Sequence, residues 1–258
     1  DNTRYMRKEK VYKALNITLP IATLLVIIIV YAIISLAVGI DMLVPSVPSI
    51  VKEFFALFAK ASFYESVGWT LLRAFIAYVS AFLLAALLSG VTYSFKPLRS
   101  ALAPIVLIVR IMPTMSLILL ALIWFDSFEA TVLVAFSVIF PMLYTSFADA
   151  LECVDKDLIE MARVYGVSER KQILSLYLPQ IAPNVFTAIK SSVGLNLKLV
   201  IAAEVLAQTA KSIGIEMQFA KLYVDTAQLL AWTAVAIILG TVFEKIVVLI
   251  EKKAVKWK

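Results

Sequence analysis

Six apolar segments, at 15–38, 66–91, 101–125, 130–148, 180–208 and 226–250, set the terms on which this chain can fold. A helix needs about 20 apolar residues to cross the hydrocarbon core of a bilayer. Every segment meets that length or comes near it; the fourth is the shortest. Backbone polar groups in lipid must be satisfied within the structure, so these runs are predicted to be helices. The predicted fold is all-α: a polytopic membrane protein with six transmembrane helices, one domain over 1–258 and a core at 66–250. Composition agrees, with 62% hydrophobic residues against about half in a soluble domain.

Charge gives the orientation. Sixteen of the 24 Lys and Arg residues fall in 1–14, 92–100, 149–179 and 245–258, and four in 39–65, 126–129 and 209–225. Positive residues favour the cytoplasmic side, so both termini are expected there. The net charge of +6 then reflects topology and anionic headgroups rather than nucleic acid. Arg4, Arg7, Lys8, Lys10 and Lys13 precede an apolar run too long for a signal peptide, which reads as a retained first span. With no histidine and one cysteine, Cys153, the chain offers no disulfide, no histidine-ligated metal site and no histidine-based catalysis. Its seven glycines form no G-x-x-x-x-G-K phosphate loop.

Between the spans, Pro45 and Pro48 mark a turn, and 49–60 reads as a short amphipathic helix on the outer surface. Pro97 and Pro104 bracket a tight inner turn. Pro113 and Pro141 sit inside spans, where proline kinks a helix. Trp69, Trp124, Trp232 and Trp257 suit an interfacial aromatic belt.

The segment 149–179 is a polar island between the fourth and fifth spans. Asp155 can cap a helix, with Asp157 in its first turn. Leu158, Ile159, Ala162 and Tyr165 give an apolar stripe. Gly166 permits the left-handed conformation that ends a helix. Ser168 can cap a second short helix, with Lys171 and Gln172 on its exposed side, and Pro179 opens the fifth span. Two short helices joined at a glycine would project from the membrane and fit a cleft on a soluble partner.

Glu160-Met161-Ala162, Gly166 and Leu176-Tyr177-Leu178-Pro179 resemble, in register, the EAA loop by which permeases of ATP-binding-cassette (ABC) importers grip their ATPase. Met161 replaces the central alanine, and Leu176 an isoleucine. Arg110-Ile-Met-Pro113, Ile201-Ala202-Ala203-Glu204 and Ser212-Ile213-Gly214-Ile215 look like the nitrate, sulfonate and taurine branch. The resemblance implies a type I importer permease in a bacterial or archaeal cytoplasmic (inner) membrane. It implies a homodimer, two ATPase subunits carrying ATP and Mg, an extracytoplasmic solute-binding protein, and a small anionic or sulfonate-like nutrient as solute. It assigns ATPase coupling to Glu160, Met161, Ala162, Arg163, Tyr165, Gly166, Val167, Leu178 and Pro179. No cofactor is expected in the chain itself.

Ionisable groups inside a span are costly and usually face a cavity or a partner. Arg110, near mid-depth of the third span, lines the pathway and attracts an anion, or pairs with Glu204 or a carbonyl. Lys198 and Asn196 are candidates to face the pathway, while Glu204 suits a structural or gating role. Met112 and Met115 beside Pro113 form a soft gate or simply pack. Arg73 and Lys190 are expected to snorkel. Two other classes remain: an energy-coupling-factor vitamin transporter component, whose Ala-Arg-Gly motifs are missing here, and a standalone channel or secondary transporter.

Overall fold

The computed structural model describes the backbone of residues 2–254 and the side chains of residues 18–254. Trp257 and the basic residues Lys256 and Lys258 lie outside the described residues, and so do the side chains of the N-terminal basic cluster. Among the described residues the chain is helical throughout, without strands. The helices are α1 (Asn2–Val38), α2 (Val47–Leu57), α3 (Ala61–Ser94), α4 (Lys96–Ile111), α5 (Thr114–Trp124), α6 (Ser127–Glu152), α7 (Lys156–Val164), α8 (Glu169–Gln172), α9 (Leu178–Ala207), α10 (Ile213–Leu222) and α11 (Thr226–Ala254). A π-helical turn, Ile173–Tyr177, joins α8 to α9.

α6 is the centre of the bundle. It packs along α3 and α9, and α11 lies against α9. Small residues make the close approach possible: Ala74, Ala77, Ala81 and Ala85 recur on one face of α3 and are all buried. They meet Ala135, Ile139 and Leu143 of α6 and Ala188, Leu197 and Val200 of α9. Ala130 and Val134 at the start of α6 pack with Ile118 and Ala121 of α5. The apolar part of α1, Thr18–Val38, buries only Ser35. Tyr31 and Ser35 tie its end to the backbone carbonyls of Pro45 and Val44.

Several expectations change. The third span is not one straight helix: α4 and α5 meet at 99°. Proline disfavours the helical conformation in the residue before it and lacks the N–H for the ladder. Met112 and Pro113 are accordingly extended, and the axis turns there. Pro141, by contrast, is carried inside an uninterrupted α6. Trp232 is no interfacial belt residue; it is 1% exposed and stacks on Phe63. The apolar side of α2 is partly covered: Leu57 is buried and Phe54 packs on the same cluster, while Val51, Phe55 and Phe58 stay exposed. The segment after α9 contains a further helix, α10, capped by Ser212, whose hydroxyl accepts from the Ile215 N–H.

Candidate functional site

The polar island folds as two helices joined at a glycine. Asp155 caps α7, its carboxylate accepting from the N–H groups of Asp157 and Leu158 at 2.9 and 3.3 Å. α7 ends in a Schellman motif. Val167 N–H bonds to Ala162 O and Gly166 N–H to Arg163 O, both at 3.0 Å, with Gly166 at φ +68°. A Cβ there would meet nothing within 4 Å, so the glycine is required by backbone conformation and not by space.

Ser168 occupies the cap position of α8 but makes no side-chain cap bond. Gln172 serves the turn instead: it is buried, correcting its expected exposure, and its amide donates to Val167 O at 2.6 Å. The π turn answers Pro179, which has no N–H to offer the preceding turn. The Leu178 N–H reaches Ile173 O, five residues back, and the helix continues into α9. Gln180, in the first turn of α9, accepts from Asp155 N–H at 2.8 Å and ties the two ends of the loop together.

The apolar stripe of α7 divides. Ile159 and Ala162 are buried, while Leu158, Met161, Val164 and Tyr165 are exposed, Val164 by 80% and Tyr165 by 79%. Glu160 and Arg163 are also exposed. The helix therefore presents a second apolar face, rimmed by charge, with nothing among the described residues to cover it.

The opposite end of the bundle holds a cluster the sequence reading missed. Arg73 does not snorkel. α3 begins at Ala61, earlier than the expected 66, which sets Arg73 well inside the helix. It is 3% exposed, and its guanidinium donates to Glu204 Oε1 at 2.8 Å and to Ala210 O at 3.1 Å. Glu204, fully buried, also accepts from Thr70 Oγ1 at 2.9 Å and Gly214 N–H at 3.2 Å. Thr70 in turn accepts from Ile213 N–H at 2.9 Å. The Arg73 guanidinium lies 5.1 Å from the Phe128 ring centroid. Gly214 is forced by contact: its Cβ would lie 2.4 Å from Glu204 Cβ. Glu204 thus belongs to Arg73 and not to Arg110.

The remaining pathway candidates separate. Asn196 is buried; its amide donates to Ala74 O at 2.8 Å, and it lines an apolar cavity of about 300 Å³ with Tyr78 and Phe243. Lys198, two residues on and so about 200° round the helix, is exposed. Arg110 is exposed at the C-terminal turn of α4, in a cleft of about 240 Å³ with Tyr144, Thr145 and Arg99. Arg99 itself pairs with Glu152 and Asp149. Met112 and Pro113 form the corner between α4 and α5, with Met115 exposed beside it. Among the described residues no cluster of His, Cys, Asp or Glu could hold a metal.

Comparison with known proteins places this architecture. A putative aliphatic sulfonates transport permease of Bacillus subtilis is 26% identical over 83% of this chain and 78% of its own. The taurine transport system permease of Escherichia coli is 24% identical over 94% and 90%. The inward-facing MetNI methionine ABC transporter shares the fold, with a TM-score of 0.54 at 17% identity over 75% of this chain and 92% of its own. The profile of the binding-protein-dependent transport system inner membrane component family matches residues 82–256, and the chain belongs to that family.

Proposed function

We propose that two copies of this chain enclose a pathway for a small anion, with a sulfonate as the leading class, and that each copy couples to a cytoplasmic ATPase through α7 and the Gly166 turn. Permeases of this family are not enzymes, and ATP is hydrolysed in a separate subunit. The chain is a multi-pass inner-membrane protein; the basic bias of its inner segments supports both termini facing the cytoplasm.

The observation that carries the coupling reading is the uncovered face of Leu158, Met161, Val164 and Tyr165, held rigid by the Asp155 cap and the Schellman turn. Glu160 and Arg163 supply charge at its rim, Ala162, Gly166 and Val167 set its shape, and Leu178 and Pro179 join it to α9. As ATPase subunits close on ATP, such a lever tilts α9 and shifts the permease between inward-open and outward-open states.

Two features support the paired copies. α1 buries only Ser35 along its apolar run, leaving it a partner to find. α9 exposes Asn184, Thr187, Ser191 and Lys198 along one stripe within a membrane span, a stripe that belongs against water or a partner rather than lipid. Lys198, together with Arg110 at the α4–α5 corner, supports the anionic solute, and the two relatives named for sulfonates and taurine support its class. An extracytoplasmic binding protein would deliver it.

Purification of the tagged chain from its native membrane tests this. An ABC ATPase is expected at equal stoichiometry, and Gly166→Pro, which cannot take the left-handed conformation, is expected to abolish ATP-driven transport. Recovery of the chain alone, with ATP-independent flux in liposomes, would make it a channel or secondary carrier.

A further inference from the structure

α9 and α11 run antiparallel, and their seam carries an acidic side chain with no role in the account so far. Glu244 of α11 rests on Gly194, halfway along α9. A Cβ at Gly194 would lie 2.6 Å from Glu244 Oε1 and 3.5 Å from its Cδ, so only glycine leaves the carboxylate its seat. Gly240, one turn away on α11, faces Leu197 across the same seam. Lys190 and Lys198 stand four residues before and four after Gly194, one turn to either side on the same flank of α9. All three charged side chains are exposed in the single chain. Among the described residues none of them has an ion-pair partner. Lys245, the next residue of α11, leaves the helix about 100° away.

Uncompensated charges at this depth belong against a water-filled path or a partner. A carboxylate placed between two ammonium groups leaves the group of three with one net positive charge, enough for one monoanion. We propose that Glu244 is an internal counter-anion of the pathway: unpaired in the single chain, it takes Lys190 and Lys198 as partners when two copies enclose the empty pathway, and it yields them to the anionic group of the solute. A competing anion of this kind keeps binding weak enough for release. The inference rests on the reading of the α9 stripe as pathway.

The test uses the detergent-purified permease–ATPase complex titrated with ethanesulfonate, nitrate and taurine, beside uptake of the same probes into proteoliposomes. Glu244→Gln removes the competitor, so binding of all three is expected to tighten about tenfold while uptake slows by a similar factor, the joint fall in KM and kcat that marks tighter ground-state binding. Gly194→Ala is expected to shift binding the same way in the wild-type background and to add nothing to Glu244→Gln; a purely structural glycine would add its effect in both. Unchanged binding in Glu244→Gln overturns the counter-anion. So does weakened binding of taurine alone, which would make Glu244 the seat of an ammonium group. Lys198→Gln separates the two levels: loss of binding there with no effect of Glu244→Gln defeats the counter-anion only. Full binding in Lys198→Gln, or no binding of any probe by the wild type, defeats the pathway reading beneath it.

Discussion

At the end of the bundle that the proposed topology puts outside, Arg73 and Thr70 reach Glu204 across 131 and 134 residues of sequence. At the end it puts inside, the bonds that shape the α7–α8 loop span two to five residues, apart from the Asp155–Gln180 tie across 25. The outer cluster is buried and joins α3, α9 and α10 into one block. The inner loop is solvent-facing, self-contained and apolar on a face the described residues leave bare. The contrast suits a machine driven from one side: the fixed end resists deformation, and the driven end is a preformed handle that can be gripped without disturbing the core.

The sharpest way to break the comparison is to remove the outer anion. Glu204→Ala leaves Arg73 buried and unpaired, an expected loss of about 3–5 kcal/mol, read as a large fall in the thermal unfolding midpoint of the purified permease. Gly214→Ala attacks the same block by volume. Its Cβ would collide with Glu204 Cβ and come within 2.7 Å of the Val205 backbone nitrogen, and overpacking of this kind costs about 1–3 kcal/mol, read in the same assay. At the inner end, Gly166→Ala forces a side chain into a left-handed conformation for about 1–2 kcal/mol. That strain is expected to stay in the loop: unchanged global unfolding, faster proteolysis between Arg163 and Glu169, and reduced ATP-driven transport. A Gly166→Ala protein that unfolded globally as early as Gly214→Ala would erase the distinction between the two ends.

The same difference explains what could be read from sequence. The loop was legible because its determinants are local: Asp155 as cap, Gly166 as the left-handed terminator, and a register shared with a known motif. The outer cluster was not, because which carboxylate meets which arginine is a long-range choice. Arg73 was assigned to a span end by a helix start placed five residues late. Glu204 was recognised as structural or gating, without its partner. The corner between α4 and α5 was half visible: Pro113 announced a kink, but the 99° turn needs Met112 extended as well. Gln172 looked exposed on a helix too short to show a face, and Glu244 was hidden by a membrane boundary drawn next to it. Gly194 gave no signal, since a glycine in an apolar helix is unremarked until something rests on it.

The central claim is that the bare face of α7 is where the ATPase holds this permease. Val164, exposed by 80% at the tip of that face, can be replaced by a photo-crosslinking residue and the membranes irradiated before purification. The account predicts a covalent adduct with an ABC ATPase subunit, lost when the same residue replaces Leu222 at the outer end. Crosslinks from Val164 to lipid alone, in membranes that still carry ATP-driven transport, would contradict it.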